Sequence, residues 1–117
     1  MQAQLVIDPR TYRQLKEQMG ADFVRELVET YCHETGRLIE QLYQALAAHD
    51  SAAFARLAHS IKSSSASLGA LNLSQQARQL ELTGQTNDLS EAGPQLERLS
   101  SGFLKVKRCL EELRDEP

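Results

Sequence analysis

The chain has few of the residues that mark special classes of protein. Its 117 residues include no tryptophan, only three prolines and six glycines, and two cysteines. These low counts argue against a collagen-like chain, a low-complexity chain and a disulfide scaffold. Hydrophobic residues make up 41% and charged residues 25%, as in an ordinary folded domain, which argues against disorder. We therefore expect residues 1–117 to form a single domain.

Long apolar runs and an excess of one charge are also missing. No stretch approaches the roughly 20 apolar residues that span a bilayer. Residues 1–4 lack the basic start and the long apolar stretch of a signal peptide. Thirteen basic and sixteen acidic side chains leave a net charge of −3, so there is no bulk basic field for nucleic acid. We expect a cytoplasmic monomer that binds neither a membrane nor a nucleic acid.

Cysteine and histidine are too scattered to indicate a metal site. Cys32 and Cys109 lie far apart, so we expect two buried free thiols in a reducing compartment. A disulfide between them stays an alternative, because a sequence does not give their separation. Cys32 and His33 are adjacent but point to different faces of a helix, which argues against a shared metal. We interpret His33 and His49 as surface residues.

The hydrophobic spacing predicts helix almost throughout, with glycines and prolines near the boundaries. A short helix is predicted from the N-cap Asp8 to Gly20. Two longer helices should follow, over about 21–48 and over 51–68, the second ending at Gly69. A further helix should start at Asn72 or Ser74, and the last should start between residues 90 and 94 and run to about residue 114. Residues 84–87 are predicted to form a loop. Four amphipathic helices joined by short connections predict an all-α antiparallel four-helix bundle. The short additional N-terminal helix would pack at one end.

The third long segment, residues 51–70, carries an outward-facing histidine. On a helical wheel of about 100° per residue, His59 lies roughly 140° from the core-facing Phe54. Lys62 lies one turn away on the same side. The neighbours of the imidazole on this outer face are all small, namely Ala52, Ala55, Ser63 and Ala66.

The charge of the same segment is unusual for an acidic protein. Residues 51–70 include Arg56 and Lys62 but no aspartate or glutamate, whereas a solvated helix face normally mixes both signs. A face that accepts a dianionic phosphoryl group should avoid negative charge and carry positive charge nearby. Small neighbours would let the active site of a partner reach the imidazole.

The run from Ala58 to Ala70, AHSIKSSSASLGA, resembles the signature of histidine-containing phosphotransfer (HPt) domains. In that family a lysine, a small residue and a glycine follow the histidine at set distances, and here these are Lys62, Ser63 and Gly69. Ser63 stands where the family usually has glycine, and it is still small. The order and length of the predicted helices agree with the family over nearly the whole chain.

The resemblance implies that the chain is a phosphoryl carrier in a two-component phosphorelay. His59 would accept the phosphoryl group from an aspartate of one receiver domain and pass it to an aspartate of another. The family also places a glutamine or glutamate on the next helix against the imidazole. Glu81 matches that position in register, with Gln79 and Gln75 as alternatives. Lys62 would offset negative charge on the phosphoryl oxygens.

The resemblance further implies which parts the partners supply. The partners would be the receiver domain of a hybrid sensor histidine kinase and a response regulator. The chain has no obvious pair of carboxylates for Mg²⁺, so the receiver would supply both Mg²⁺ and the acceptor aspartate, and the chain would be a carrier without cofactor or autonomous catalysis. An exposed Tyr12 or Met19 could add contact. Docking would centre on His59 and use Ala52, Ala55, Arg56, Lys62, Ser63 and Ala66.

Other interpretations of the same pattern remain open. The chain could be a helical adaptor that binds signalling partners through this face without being phosphorylated. A histidine-phosphorylated input domain of a chemotaxis-type kinase would need kinase domains downstream, and the sequence ends at Pro117. The start at Met1 and the lack of a linker favour a freestanding protein. Glu81 could also be an ordinary surface carboxylate.

Overall fold

Apolar residues at helical spacing form five α-helices in residues 6–116, the part of the chain that the computed structural model describes. Residues 1–5, where the signal-peptide argument applies, lie outside it. Each of the four longer helices packs on the next in a ring, and the short first helix packs on the second. This confirms the all-α four-helix bundle with an additional N-terminal helix. The helices are α1 (Pro9–Met19), α2 (Ala21–Ala47), α3 (Ser51–Ser67), α4 (Leu71–Gln85) and α5 (Ala92–Arg114).

Capping residues explain where the helices begin and end. The Asp8 carboxylate accepts a hydrogen bond from the backbone N–H of Arg10 at 3.0 Å, which caps α1. The Asp50 carboxylate does the same for Ala53 at 3.1 Å and caps α3. Gly20 has a φ of 91°, which favours glycine, and it separates α1 from α2.

Helix α4 is longer than the sequence pattern predicts. It starts at Leu71, before either predicted start, and it continues through Gly84 to Gln85. The prediction of a loop over residues 84–87 is therefore wrong for its first half. Gly84 is helical, and it is buried because α3 packs directly on it. The left-handed turn falls at Asn87, with a φ of 62°.

A buried hydrogen bond ties α3 to α2 inside the core. The hydroxyls of Tyr31 and Ser65 share a hydrogen bond of 2.7 Å, and both residues are buried. Burial raises the pKa of Tyr31 to about 12. The Tyr31 ring also meets Phe103 of α5 edge-on, with 6.3 Å between ring centroids. Tyr31 therefore holds the side of α3 that lies opposite the outer face.

Tyr12 was predicted to be exposed, and this is wrong. Only 6% of Tyr12 is exposed, because α1 turns its apolar face onto α2 and the tyrosine ring joins the core. Desolvation by this burial raises the pKa of its hydroxyl. Met19, by contrast, is 54% exposed. Of the two residues, Met19 alone stays open to a partner.

The cysteines are free thiols, as expected, but they are half-buried rather than buried. Burial raises the pKa of both Cys32 and Cys109, which disfavours the reactive thiolate. Within residues 6–116, no cluster of histidine, cysteine, aspartate or glutamate could hold a metal ion. In the same part of the chain, no helix is long and apolar enough to cross a membrane.

Gly69 joins the end of α3 to the start of α1. Its φ is 85°, and its carbonyl accepts a hydrogen bond from the N–H of Asp8 at 2.9 Å. A Cβ at this position would lie 3.0 Å from the Cβ of Thr11 and 3.2 Å from the carbonyl oxygen of Asp8. The backbone therefore requires glycine here, independently of any chemistry at His59.

Replacing Gly69 with alanine should lower the free energy of unfolding by about 1–3 kcal/mol, because alanine disfavours a positive φ and would crowd α1. Urea denaturation measures the change. Gly36→Ala is the matched control, since Gly36 lies within α2 with open space around it. It should stabilise the protein by up to about 1 kcal/mol. Equal effects of the two substitutions would contradict this account of Gly69.

Candidate functional site

His59 stands on the outer face of α3, where the helical wheel places it. Its side chain is 57% exposed. The ring nitrogen Nδ1 lies 2.8 Å from Oε2 of Glu81 on α4, a hydrogen-bond distance. Among residues 6–116, the other ring nitrogen, Nε2, has no hydrogen-bond partner. The imidazole is thus held at one nitrogen and accessible at the other.

Glu81 contacts two residues of α3 at once. While Oε2 meets His59, Oε1 accepts a hydrogen bond from Nζ of Lys62 at 2.7 Å. The carboxylate is only 14% exposed, because it lies at the edge of α4 that packs against α3. The alternatives Gln75 and Gln79 are exposed residues of α4, and within residues 6–116 neither is hydrogen-bonded to the imidazole. The register of the motif therefore leads to the residue that touches the ring.

The pKa of Glu81 is lowered, so the group is a carboxylate at neutral pH. The largest cause is the hydrogen bond from Lys62, the bond with His59 adds to it, and desolvation partly opposes both. An ionised carboxylate only accepts hydrogen bonds, so Nδ1 of His59 must carry the hydrogen and donate it. In a neutral ring this leaves the lone pair on Nε2, the accessible nitrogen.

Lys62 lies three residues after His59 on α3. Its side chain is 30% exposed, and its ammonium is bonded to Glu81. The three side chains form a chain of contacts from ammonium to carboxylate to imidazole. The positive charge of Lys62 is therefore linked to His59 through Glu81.

The exposure of the residues around His59 agrees with the helical wheel except at one position. Ala52, Ser63 and Ala66 are exposed, as the wheel predicts, and Arg56 is exposed as well. Ala55 is half-buried, because α4 approaches it closely. The helical wheel treats α3 alone and so cannot show that a neighbouring helix covers one edge of the face.

Helices α3 and α4 together contain a single carboxylate. It is Glu81, and its two oxygens are already bonded to His59 and Lys62. The cations Arg56 and Arg78 lie on the same pair of helices and are exposed. A dianion approaching His59 therefore meets no unpaired carboxylate from α3 or α4.

Two residues near the site were missed in the sequence. The Ser74 hydroxyl of α4 donates a hydrogen bond to the carbonyl oxygen of Lys62 at 2.8 Å. Gly84 of α4 packs against Ala55. Both lie on the side of α4 that carries Glu81, seven residues before it and three after it. This helical spacing was the available signal.

Comparison with known proteins shows which family the chain resembles in sequence and structure. The family model described as Hpt domain matches residues 26–116. The chain belongs to the Hpt domain family. Its structure is similar to the crystal structure of histidine-containing phosphotransfer protein B (HptB) from Pseudomonas aeruginosa PAO1, with a TM-score of 0.90 and 26% identity over 96% of each chain. No curated protein matched the chain.

The general role of this Hpt domain follows from its family. Hpt proteins are phosphocarriers of two-component systems, not enzymes, and they carry the phosphoryl group on histidine. They interact in phosphorelays with receiver domains of kinases and response regulators. The chain is thus a histidine phosphotransfer carrier of a two-component system.

Replacing Lys62 with methionine should raise the pKa of Glu81 toward its ordinary value of 4.5, because the largest cause of the lowered pKa is removed. The side-chain carboxyl carbon signal of Glu81, followed by NMR during an acid titration, measures it. Arg56→Met is the control, since Arg56 is an exposed cation of α3 that is not bonded to Glu81.

The lowered pKa of Glu81 also makes the stability of the fold depend on pH. The folded pKa of Glu81 lies below 4.5, so its ionisation stabilises the fold fully above about pH 4.5. This contribution is lost as the pH falls through the folded pKa. The Lys62→Met variant should lose less stability over that range. An unchanged Glu81 pKa in this variant would show that the ion pair does not exist in solution.

Proposed function

We propose that this Hpt domain accepts a phosphoryl group on Nε2 of His59 from an aspartyl phosphate of one receiver domain and passes it to an aspartate of another. The observation that supports this most directly is the asymmetry of the imidazole. Its Nδ1–H is taken by Glu81, while Nε2 is exposed with no partner in residues 6–116. A neutral imidazole with a free lone pair is a good nucleophile near pH 7.

The transfer balances without any other group of this chain. The Nε2 lone pair attacks phosphorus, an N–P bond forms, and the P–O bond to the receiver aspartate breaks, which returns a carboxylate. The ring then carries a positive charge with its hydrogen still on Nδ1. Glu81 accepts that hydrogen bond and, as an anion, stabilises the charged ring. The reverse attack by a second aspartate restores the neutral ring.

Lys62 serves this chemistry through its charge. Its ammonium is bonded to Oε1 of Glu81, which keeps the carboxylate ionised and oriented toward His59. It also places a cation within one helical turn of the phosphoryl group, where it offsets the charge of the phosphoryl oxygens.

We propose that the metal of the reaction belongs to the partner. Phosphoryl transfer of this kind requires Mg²⁺, which prefers several oxygen ligands including carboxylates. The one carboxylate on α3 and α4 is Glu81, whose two oxygens are already bonded to His59 and Lys62. This donor set does not fit Mg²⁺. The receiver domain would therefore supply the ion along with the aspartate.

The docking face that we propose centres on His59 and carries small side chains around the imidazole. Ala52, Ser63 and Ala66 would let the receiver approach closely, and Arg56 would meet its acidic site. Ala55 can contribute only its exposed edge. The partners would be the receiver domain of a hybrid sensor histidine kinase and a response regulator.

Incubation with a phosphorylated receiver domain and Mg²⁺ should label this Hpt domain with a phosphate that is labile in acid and stable in base, as a phosphoramidate is. His59→Gln should abolish the label. His33→Gln is the control and should keep it, because His33 lies on α2, away from Glu81.

Equal labelling of the His59→Gln variant would refute the carrier assignment at this residue. A chain that binds the receiver domain through this face but takes up no label would instead be the helical adaptor.

A further inference from the structure

Helix α4 approaches α3 closely at Gly84. A Cβ on Gly84 would lie 2.8 Å from the backbone N of Ala55, 3.0 Å from its Cα and 2.9 Å from its Cβ. Two of these atoms are backbone, so no rotation of a side chain could make room. Any residue other than glycine at this position must push the two helices apart.

The usual reasons for a helical glycine do not apply here. Gly84 does not have a positive φ, and the left-handed turn after α4 is made by Asn87. Glycine also stabilises a helix less than alanine does. Its presence in the last turn of α4 therefore has a packing reason, which is the contact with Ala55.

This contact lies one helical turn from the site on both helices. Ala55 precedes His59 by four residues, and Gly84 follows Glu81 by three. On the other side of the site, the Ser74 hydroxyl binds the carbonyl oxygen of Lys62 at 2.8 Å. The close contact and the hydrogen bond flank the carboxylate, so together they set both the spacing and the register of α4 on α3.

The hydrogen bonds of Glu81 require α3 and α4 to keep their present separation. Its two oxygens lie 2.8 Å from Nδ1 of His59 and 2.7 Å from Nζ of Lys62. A separation increased by about 1 Å would take the bond to His59 beyond hydrogen-bond distance. Lys62 is long and flexible and can follow the carboxylate, but the ring of His59 is short and cannot.

We propose that Gly84 is a positioning residue for phosphotransfer: its missing side chain lets α4 approach α3 at Ala55, and this approach brings Glu81 to Nδ1 of His59. The effect on the ring tautomer is independent of the function. Its consequence for phosphotransfer rests on the function proposed above.

The test compares Gly84→Ala with the parent protein by NMR of ¹⁵N-histidine-labelled samples at a pH where the His59 ring is neutral. We expect the Nδ1–H tautomer of His59 to lose population to Nε2–H and the pKa of Glu81 to rise. Phosphoryl acceptance from a phosphorylated receiver domain should slow about 10-fold. Gly36→Ala is the matched control, with open space around it in α2, and should change none of these.

The double variant Ala55→Gly/Gly84→Ala covers the case in which the single variant fails to fold. It removes the methyl group at 2.9 Å but leaves the backbone N at 2.8 Å, so a smaller shift of the tautomer is expected. A folded Gly84→Ala variant whose His59 and Glu81 signals match the parent would overturn the proposal. If only the double variant folds, signals that match the parent in it would overturn the proposal instead.

The two proposals fail in different measurements. The tautomer and the pKa of Glu81 are read without any phosphoryl group, so they test the role of Gly84 alone. Absence of label on His59 of the parent protein would refute phosphotransfer and leave the positioning result standing. A parent that is labelled and a Gly84→Ala variant with unchanged ring signals and unchanged rate would refute the positioning role only.

Discussion

The site depends on one carboxylate that is shared by two side chains of the facing helix. Glu81 accepts a hydrogen bond from the imidazole of His59 and another from the ammonium of Lys62. The second bond keeps the pKa of Glu81 low, and the low pKa forces the hydrogen of the imidazole onto Nδ1. An ordinary surface histidine thereby becomes one with a defined tautomer and an accessible nucleophilic nitrogen.

Helices α1, α2 and α4 hold α3 in place and leave the face that carries His59 open to a partner. The hydrogen bond between Ser65 and Tyr31 anchors α3 to α2 in the core. At the end of α3, the carbonyl of Gly69 accepts a hydrogen bond from the N–H of Asp8, at the start of α1. Helix α4 holds α3 closely at Ala55. The fourth side, with His59 and small neighbours, remains exposed. A carrier needs this combination, because rigidity positions the ring while exposure admits the receiver domain.

Most of the fold could be predicted because the apolar stripes, the N-cap aspartates and the boundary glycines are local signals. Glu81 could be found because the family motif fixes its register relative to His59. The errors concern pairs of helices. Tyr12 is buried by the docking of α1 on α2, and Gly84 is helical and Ala55 half-buried because α3 and α4 approach each other there. A pattern read along one helix contains no information on how closely its neighbour packs.

His59 holds its hydrogen on Nδ1 because an ionised Glu81 accepts it. The ¹⁵N chemical shifts of the His59 ring in the unmodified protein, measured at a pH where the ring is neutral, test this most directly. We expect a protonated Nδ1 and a bare Nε2 in this protein, and an even or reversed mixture of the two tautomers once Glu81 is replaced by alanine. A bare Nδ1 with the hydrogen on Nε2 in the unmodified protein would contradict it.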